Sequence, residues 1–213
     1  MRQIFSARWV LPIDGPVIDD GEVVVEDGTI QAVRQRTTPA NEVIDLGNAV
    51  LMPGLVNAHT HLEYTALRGF LEDVPFFPWI RTLTVAKAAL DGADWTISAH
   101  LGAAESIAGG VTTIGDNTDA GVVAAVAAER GLRAVVFQEF FGIDPRQERD
   151  AVLNGLRAKL TAAGKYVSGR ISLGISPHAP YTVRAELLDA LLVEPDLAPL
   201  RTSIHIAESS AEV

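Results

Sequence analysis

After Pro53 the chain adopts a rhythm that narrows what it can fold into. Four short apolar runs, Gly110-Val-Thr-Thr-Ile-Gly115, Leu132-Arg-Ala-Val-Val-Phe137, Arg170-Ile-Ser-Leu-Gly-Ile175 and Arg201-Thr-Ser-Ile-His205, are separated by Ala- and Leu-rich stretches of helical length. Strands alternating with helices of that length argue for repeated βαβ units, and each crossover helix returns the chain so that the next strand runs parallel. With Ala49-Val-Leu-Met-Pro-Gly-Leu-Val-Asn-Ala-His59 as the first, the count is five strands. Helix punctuation adds boundaries: Asp94 to cap a helix ending at Gly109-Gly110, Asp119 one ending at Gly131, and Pro145 to open one stopping near Gly164.

Residues 1–52 read differently. There, Asp27-Gly28 sits between the β-branched segments of Glu22-Val-Val-Val-Glu-Asp-Gly-Thr-Ile-Gln-Ala-Val33, the signal for a two-residue type I′ hairpin. The expected organisation is therefore a β-rich head over 1–52 and an α/β region over 53–213. An open nucleotide-binding sheet is the competing fold. It would need G-x-G-x-x-G or a phosphate loop, but Gly164-Lys165 is followed by Tyr166 where Ser or Thr should stand. Gly174-Ile-Ser176-Pro-His178 likewise lacks the last glycine of a nucleophile elbow. A partial (β/α)8 barrel is the better reading.

Composition removes other classes. The 213 residues carry no cysteine, which excludes a disulfide scaffold, a thiolate zinc site and a cysteine nucleophile. A net charge of −10 with no basic cluster argues against nucleic acid and anionic membrane as partners. The opening Met-Arg-Gln-Ile-Phe-Ser-Ala-Arg has no continuous apolar core of signal-peptide length, so a cytoplasmic protein with a small-molecule substrate is expected. A homo-oligomer is left open.

The chemistry resides in the histidines. His59 and His61 are two residues apart in Asn57-Ala-His-Thr-His-Leu-Glu63, and in extended chain such a pair faces one side and can reach one ion. His178 follows the fourth strand in Ser176-Pro-His-Ala-Pro-Tyr181, where two prolines stiffen the loop. His205 ends the fifth, with Glu208 three residues on, a spacing suited to a ligand and a proton-transfer group around one water. In a (β/α) barrel catalysis is built at the rim where the strands end. His100, mid-helix in Trp95-Thr-Ile-Ser-Ala-His100, is read as structural.

Pro53-Gly-Leu-Val-Asn-Ala-His59-Thr-His61-Leu-Glu63, followed by Leu67-Arg-Gly69, resembles the first-strand signature of the amidohydrolase superfamily. Ser176-Pro-His178-Ala-Pro-Tyr181-Thr and His205-Ile-Ala-Glu208 are similar to the fourth- and fifth-strand motifs of its aminohydrolase branch. That branch holds deaminases of adenosine-like nucleosides, S-adenosylhomocysteine and aminodeoxyfutalosine, and triazine hydrolases. The resemblance implies a barrel preceded by part of a small β-sandwich. It implies that His59, His61 and His205 hold one divalent ion, zinc (Zn2+) with Fe2+ as the alternative, because the fourth strand offers no bridging lysine or glutamate. His178 then matches a substrate-contacting histidine and Glu208 the acid/base, while Glu63 and Trp79 match stretches that line the pocket.

The implied reaction removes ammonia from a purine-like or other amino-substituted nitrogen heterocycle: hydroxide formed at the ion attacks an amidine-like ring carbon. Amide or halide hydrolysis on a similar ring is the enzymatic rival, and a non-catalytic metal-binding chain the other. The family's sixth-strand histidine and eighth-strand aspartate find no match before Val213. Residues 53–213, at roughly 30–35 per strand-plus-helix unit, make about five units where closure takes eight. The sequence thus reads as the N-terminal part of a longer enzyme, inactive by itself.

Overall fold

The computed structural model describes residues 1–210, 212 and 213, which divide into two compact units, Met1–Gly54 and Leu55–Val213. The first unit is a five-stranded sheet of β1 (Arg2–Val10), β2 (Ile18–Glu26), β3 (Thr29–Gln35), β4 (Ile44–Asp45) and β5 (Val50–Leu51). β1, β2 and β3 are antiparallel neighbours, and β4 and β5 both pair with β1 in parallel. The turn between β2 and β3 puts Asp27 at φ 49° and Gly28 at φ 78°, the two positive values a type I′ turn demands.

The second unit runs β6 (Leu55–Thr60), a 3₁₀ segment (Leu62–Leu67), α1 (Phe76–Lys87), α2 (Gly92–Ala108), β7 (Val111–Thr118), α3 (Val123–Arg130), β8 (Arg133–Phe140), α4 (Arg149–Gly164), β9 (Ile171–Pro177), α5 (Ala185–Val193) and β10 (Arg201–Thr202). Its five strands lie side by side in chain order and all pair in parallel. This is five-eighths of a (β/α)8 barrel. Ala134 and Val136 of β8 pack with Ala99 and Ala103 of α2 and Val123, Val126 and Ala127 of α3, while Leu153, Leu156, Leu187 and Leu191 cover β9 from α4 and α5. Residues at odd positions of β7 and β8, among them Asn117 and Glu139, therefore face the opposite, interior side. Among the described residues no helix is long and apolar enough to cross a membrane.

Several boundaries differ from the sequence reading, each for a local reason. Val50–Leu51 pairs with β1 in the head, so the first barrel strand starts at Leu55, beyond Pro53, which lacks a ladder donor. Asp91, not Asp94, caps α2: its carboxylate accepts from the amides of Ala93 and Asp94, and Asp94 returns the bond to the Asp91 amide, a reciprocal capping box. Asp119 caps nothing, because its carboxylate is held by Lys87 and Lys159, and α3 starts at Val123. Pro145 lies ahead of α4, which begins at Arg149. β10 is only two residues long, although the Ser203 amide still donates to the Ile175 carbonyl at 3.0 Å. The end of α3 is as expected, with Gly131 left-handed at φ 74°.

One buried charge ties the head together. Glu22 of β2 is fully buried and accepts from Arg34 Nε at 2.8 Å and from the amides of Thr37 and Thr38 at 3.3 and 3.1 Å. Burial alone would raise its pKa, but Arg34 and the donors of Thr37 and Thr38 outweigh that and hold it at about 2. A carboxyl depressed in the folded state stabilises above its unfolded pKa, and the gain fades as pH falls through the folded value. Glu22→Gln should cost about 1–3 kcal/mol at neutral pH. In urea titrations the gap between wild type and variant should hold from pH 7 to about pH 5 and close toward pH 2; a gap independent of pH would remove the ionised carboxylate from the account.

Candidate metal centre

The end of β6 is shaped by a bulge. Its register against β7 slips between Asn57 and Thr60, which turns the segment carrying His59, as bulges beside functional sites do. The partner position on β7 is Gly115, where a Cβ would stand 2.5 Å from the Ala58 carbonyl oxygen, so only glycine allows the approach. Beyond the bulge, the buried carboxylate of Asp116 accepts from Thr60 Oγ1 at 2.6 Å and from the Leu62 amide at 2.8 Å. His61 lies between those two anchors.

His205 is held as firmly. Its amide donates to the His178 carbonyl at 2.9 Å, and its Nδ1 lies 2.9 Å from the same oxygen. Only a protonated Nδ1 can make that bond, so in the neutral ring the lone pair lies on Nε2, which faces His61 Nε2 at 3.2 Å. The ring centroids of His59, His61 and His205 are 5.0–5.2 Å apart, and one ligand atom from each falls within 4.8 Å of the others. Burial, then the neighbouring imidazoles, pushes the His61 pKa down to about 3, and His59 is lowered by burial and by His205. At neutral pH the His59 and His61 rings are therefore uncharged, and His61 Nδ1 is buried with no hydrogen-bond partner among the described residues. Three converging imidazoles are a donor set that suits a zinc-type ion.

Glu139, His178 and His205 form a second cluster of possible ligands. It shares His205 with the first, and Glu139 Oε1 lies 3.7 Å from the Nδ1 that already donates to the His178 carbonyl, which favours the first cluster.

Around the rings opens a cleft of about 1090 Å³. Phe76, Phe77 and Trp79 from α1 and Tyr181 from the β9–α5 loop form its aromatic wall, with Phe77 and Tyr181 edge to face at 5.9 Å. Glu208, also at the cleft, accepts from the Tyr181 hydroxyl at 2.9 Å; before it, Ala207 takes a left-handed φ of 60°, turning the chain sharply between His205 and Glu208. His178 lies 3.0 Å through Nδ1 from Thr182 Oγ1, whose own proton goes to the Ala179 carbonyl. That leaves His178 Nε2 as an acceptor, and burial, then His205, lowers its pKa to about 4.

Glu63 borders the cleft but is fully buried, and its carboxylate is occupied: it accepts from Thr118 Oγ1, from the Asp119 amide at 2.7 Å and from the Ala120 amide at 3.1 Å. Its side chain thus pins the loop after β7. His100 is elsewhere, between Arg130 at 3.0 Å and Glu129 at 3.3 Å, as its mid-helix position led us to expect.

Four residues at the site went unread in the sequence. Asn117 Nδ2 lies 3.5 Å from both His59 Nδ1 and His205 Nε2, and Tyr64 stacks on His61 at 5.4 Å. Asp116 and Glu139 are buried carboxyls whose pKa values burial pushes up to about 8. A polar residue near the end of a largely apolar strand was the available signal for Glu139 in β8, whereas β7, polar along much of its length, gave none for Asn117.

Comparison with known proteins places this geometry. A family model described as Amidohydrolase family matches residues 50–213. The 5-methylthioadenosine/S-adenosylhomocysteine deaminase of Desulfitobacterium hafniense is 32% identical over all of this chain and 51% of its own length. The 5'-deoxyadenosine deaminase of Methanothermobacter thermautotrophicus is 34% identical over 94% of this chain and 49% of its own. Among solved structures, an adenosine deaminase from Xanthomonas campestris with bound zinc superposes with a TM-score of 0.81 at 27% identity, covering 99% of this chain and 50% of that one. The chain spans about half the length of the curated relatives it matches.

If Glu63 pins the β7–α3 loop, removing it is a stability event. Glu63→Ala would leave three donors without their acceptor and should cost roughly 3 kcal/mol or more in urea unfolding. Glu63→Gln keeps the shape and should cost less. A loss under 1 kcal/mol for the alanine variant would show that these bonds matter little.

Proposed function

Because the chain belongs to the amidohydrolase family, we propose that it forms the metal-binding half of a hydrolase that deaminates an adenosine-like substrate. The convergence of three imidazole ligand atoms beside an aromatic-walled cleft, with Glu208 at hand, carries this reading. His59, His61 and His205 would hold one divalent ion, with zinc the choice that the imidazole donors and the zinc-bound Xanthomonas campestris relative support. When bound, such an ion makes water acidic and steadies negative charge that develops on the substrate.

The rest is done by this chain's own side chains. Glu208 takes a proton from the attacking water and returns it to the departing amine, so that ammonia leaves and a ring carbonyl remains. Tyr181, donating to Glu208, holds that carboxylate in place between the two transfers. His178 Nε2, as an acceptor, suits an N–H of the substrate ring or its amino group. Phe76, Phe77, Trp79 and Tyr181 offer flat apolar area to a purine and its 5′ substituent and keep water from the reacting carbon. The relatives' substrates, 5-methylthioadenosine, S-adenosylhomocysteine and 5'-deoxyadenosine, support an adenosine whose 5′ hydroxyl is replaced or missing as the class to try first. A cytoplasmic setting goes with such a substrate.

The test uses the protein at its natural full length. Turnover on a panel of 5′-modified adenosines is followed by the ultraviolet change from 6-aminopurine to 6-oxopurine. His61→Ala should lose the ion, measured by elemental analysis. Glu208→Gln should keep it while kcat falls on the order of 10²–10⁴-fold. A Glu208→Gln protein with near-normal kcat, or a metal-stripped protein that still turns over, would overturn the assignment.

A further inference from the structure

Glu139 has no part in the chemistry above, yet it is placed where a charge is costly. It shares the interior face of β8 with Val135 and Phe137, is 1% exposed, and its Oε1 has no hydrogen-bond partner among the described residues. A buried carboxylate is unfavourable unless a positive group answers it. Lys87, the nearby ammonium, is already engaged by the Tyr64 hydroxyl and the Asp119 carboxylate. The other charged groups around Glu139, Asp119, Glu63 and Asp116, are acidic. What Oε1 does approach is the His205 ring, at 3.7 Å from Nδ1.

We propose that Glu139 is a positioning residue for His205: its carboxyl group, buried behind a ligand imidazole and 3.7 Å from Nδ1, supports the Nε2 lone pair when the centre holds a divalent ion. The inference rests on the metal reading above. The Nδ1 proton of His205 is directed at the His178 carbonyl, 2.9 Å away, with Glu139 beyond hydrogen-bond range but close enough to act through space. When Nε2 gives electron density to a cation, the ring becomes more positive and the Nδ1 proton more acidic. A carboxylate on that side then stabilises the liganded ring over the free one, as outer carboxylates of ligand histidines do.

The experiment is zinc competition against a chromophoric chelator, with thermal melting of the metal-free protein beside it, in the natural full-length chain. Glu139→Gln keeps the side-chain shape and removes the charge. It should weaken zinc binding roughly 10- to 100-fold, while the metal-free melting temperature stays level, since the buried shape is kept. Glu139→Asp keeps the charge and should bind zinc more tightly than Glu139→Gln. Wild-type affinity in Glu139→Gln, an equal loss in both variants, or a lower metal-free melting temperature for Glu139→Gln would each overturn the proposal. A wild type that holds no zinc, or a His61→Ala variant with undiminished affinity, would instead bring down the metal reading beneath it.

Discussion

The bonds that Asp116 accepts from Thr60 and Leu62 set the geometry on which the cleft depends. They join the end of β7 to the chain on either side of His61, and so turn a bulged strand end into a fixed platform for that imidazole. Glu63 repeats the device in the other direction, reaching from the segment after β6 to hold the loop after β7. Two adjacent parallel strands are thereby cross-tied by buried carboxylates exactly where the ladder itself stops. Without such ties the strand ends would have only their backbone bonds, and those are irregular here because of the bulge between Asn57 and Thr60.

These ties have an electrostatic consequence. Glu63, Asp116 and Glu139 are all within 1% of complete burial, and burial pushes each pKa upward. The imidazoles beside them are pushed downward by burial and by one another. Both trends lower the amount of charge in the pocket, as a low-dielectric site without counter-ions must. A dication would reverse the balance, since it would favour ionised carboxyls and accept the lone pairs of neutral imidazoles.

How much of this was legible follows from the kind of signal each residue left. His59, His61, His178 and His205 were visible because they stand at the ends of strands whose apolar rhythm is strong, and the barrel fraction followed from that same rhythm. The Asp27-Gly28 turn was visible because few dipeptides accept two positive φ values. The cap of α2 was misplaced because Asp91 and Asp94 both satisfy the cap preference, and only the reciprocal bonds tell them apart. Val50–Leu51 went to the wrong sheet because a strand's partner is a long-range matter that local pattern does not record. Asn117, Asp116 and Glu139 belong to no short motif. Their role comes from register: Asn117 pairs with Phe137 and Glu139 with Ser176, and pairing is what brings those side chains to one face.

The single carbonyl of His178 carries a further implication. It accepts from the His205 amide and from the His205 ring, so the backbone and the imidazole of one proposed ligand both hang on one oxygen. That oxygen belongs to the residue whose own ring borders the cleft and leans on Thr182. A shift of the His178 peptide would therefore move the His205 lone pair as well as the group offered to a substrate. The proline-bracketed loop Pro177-His178-Ala179-Pro180 limits such shifts, since each proline fixes its own φ and restrains the residue before it. Rigidity in that loop serves the ion side and the substrate side of the cleft through the same atom. Softening it would loosen both together, which is why the stiffness belongs to the site and not merely to the turn.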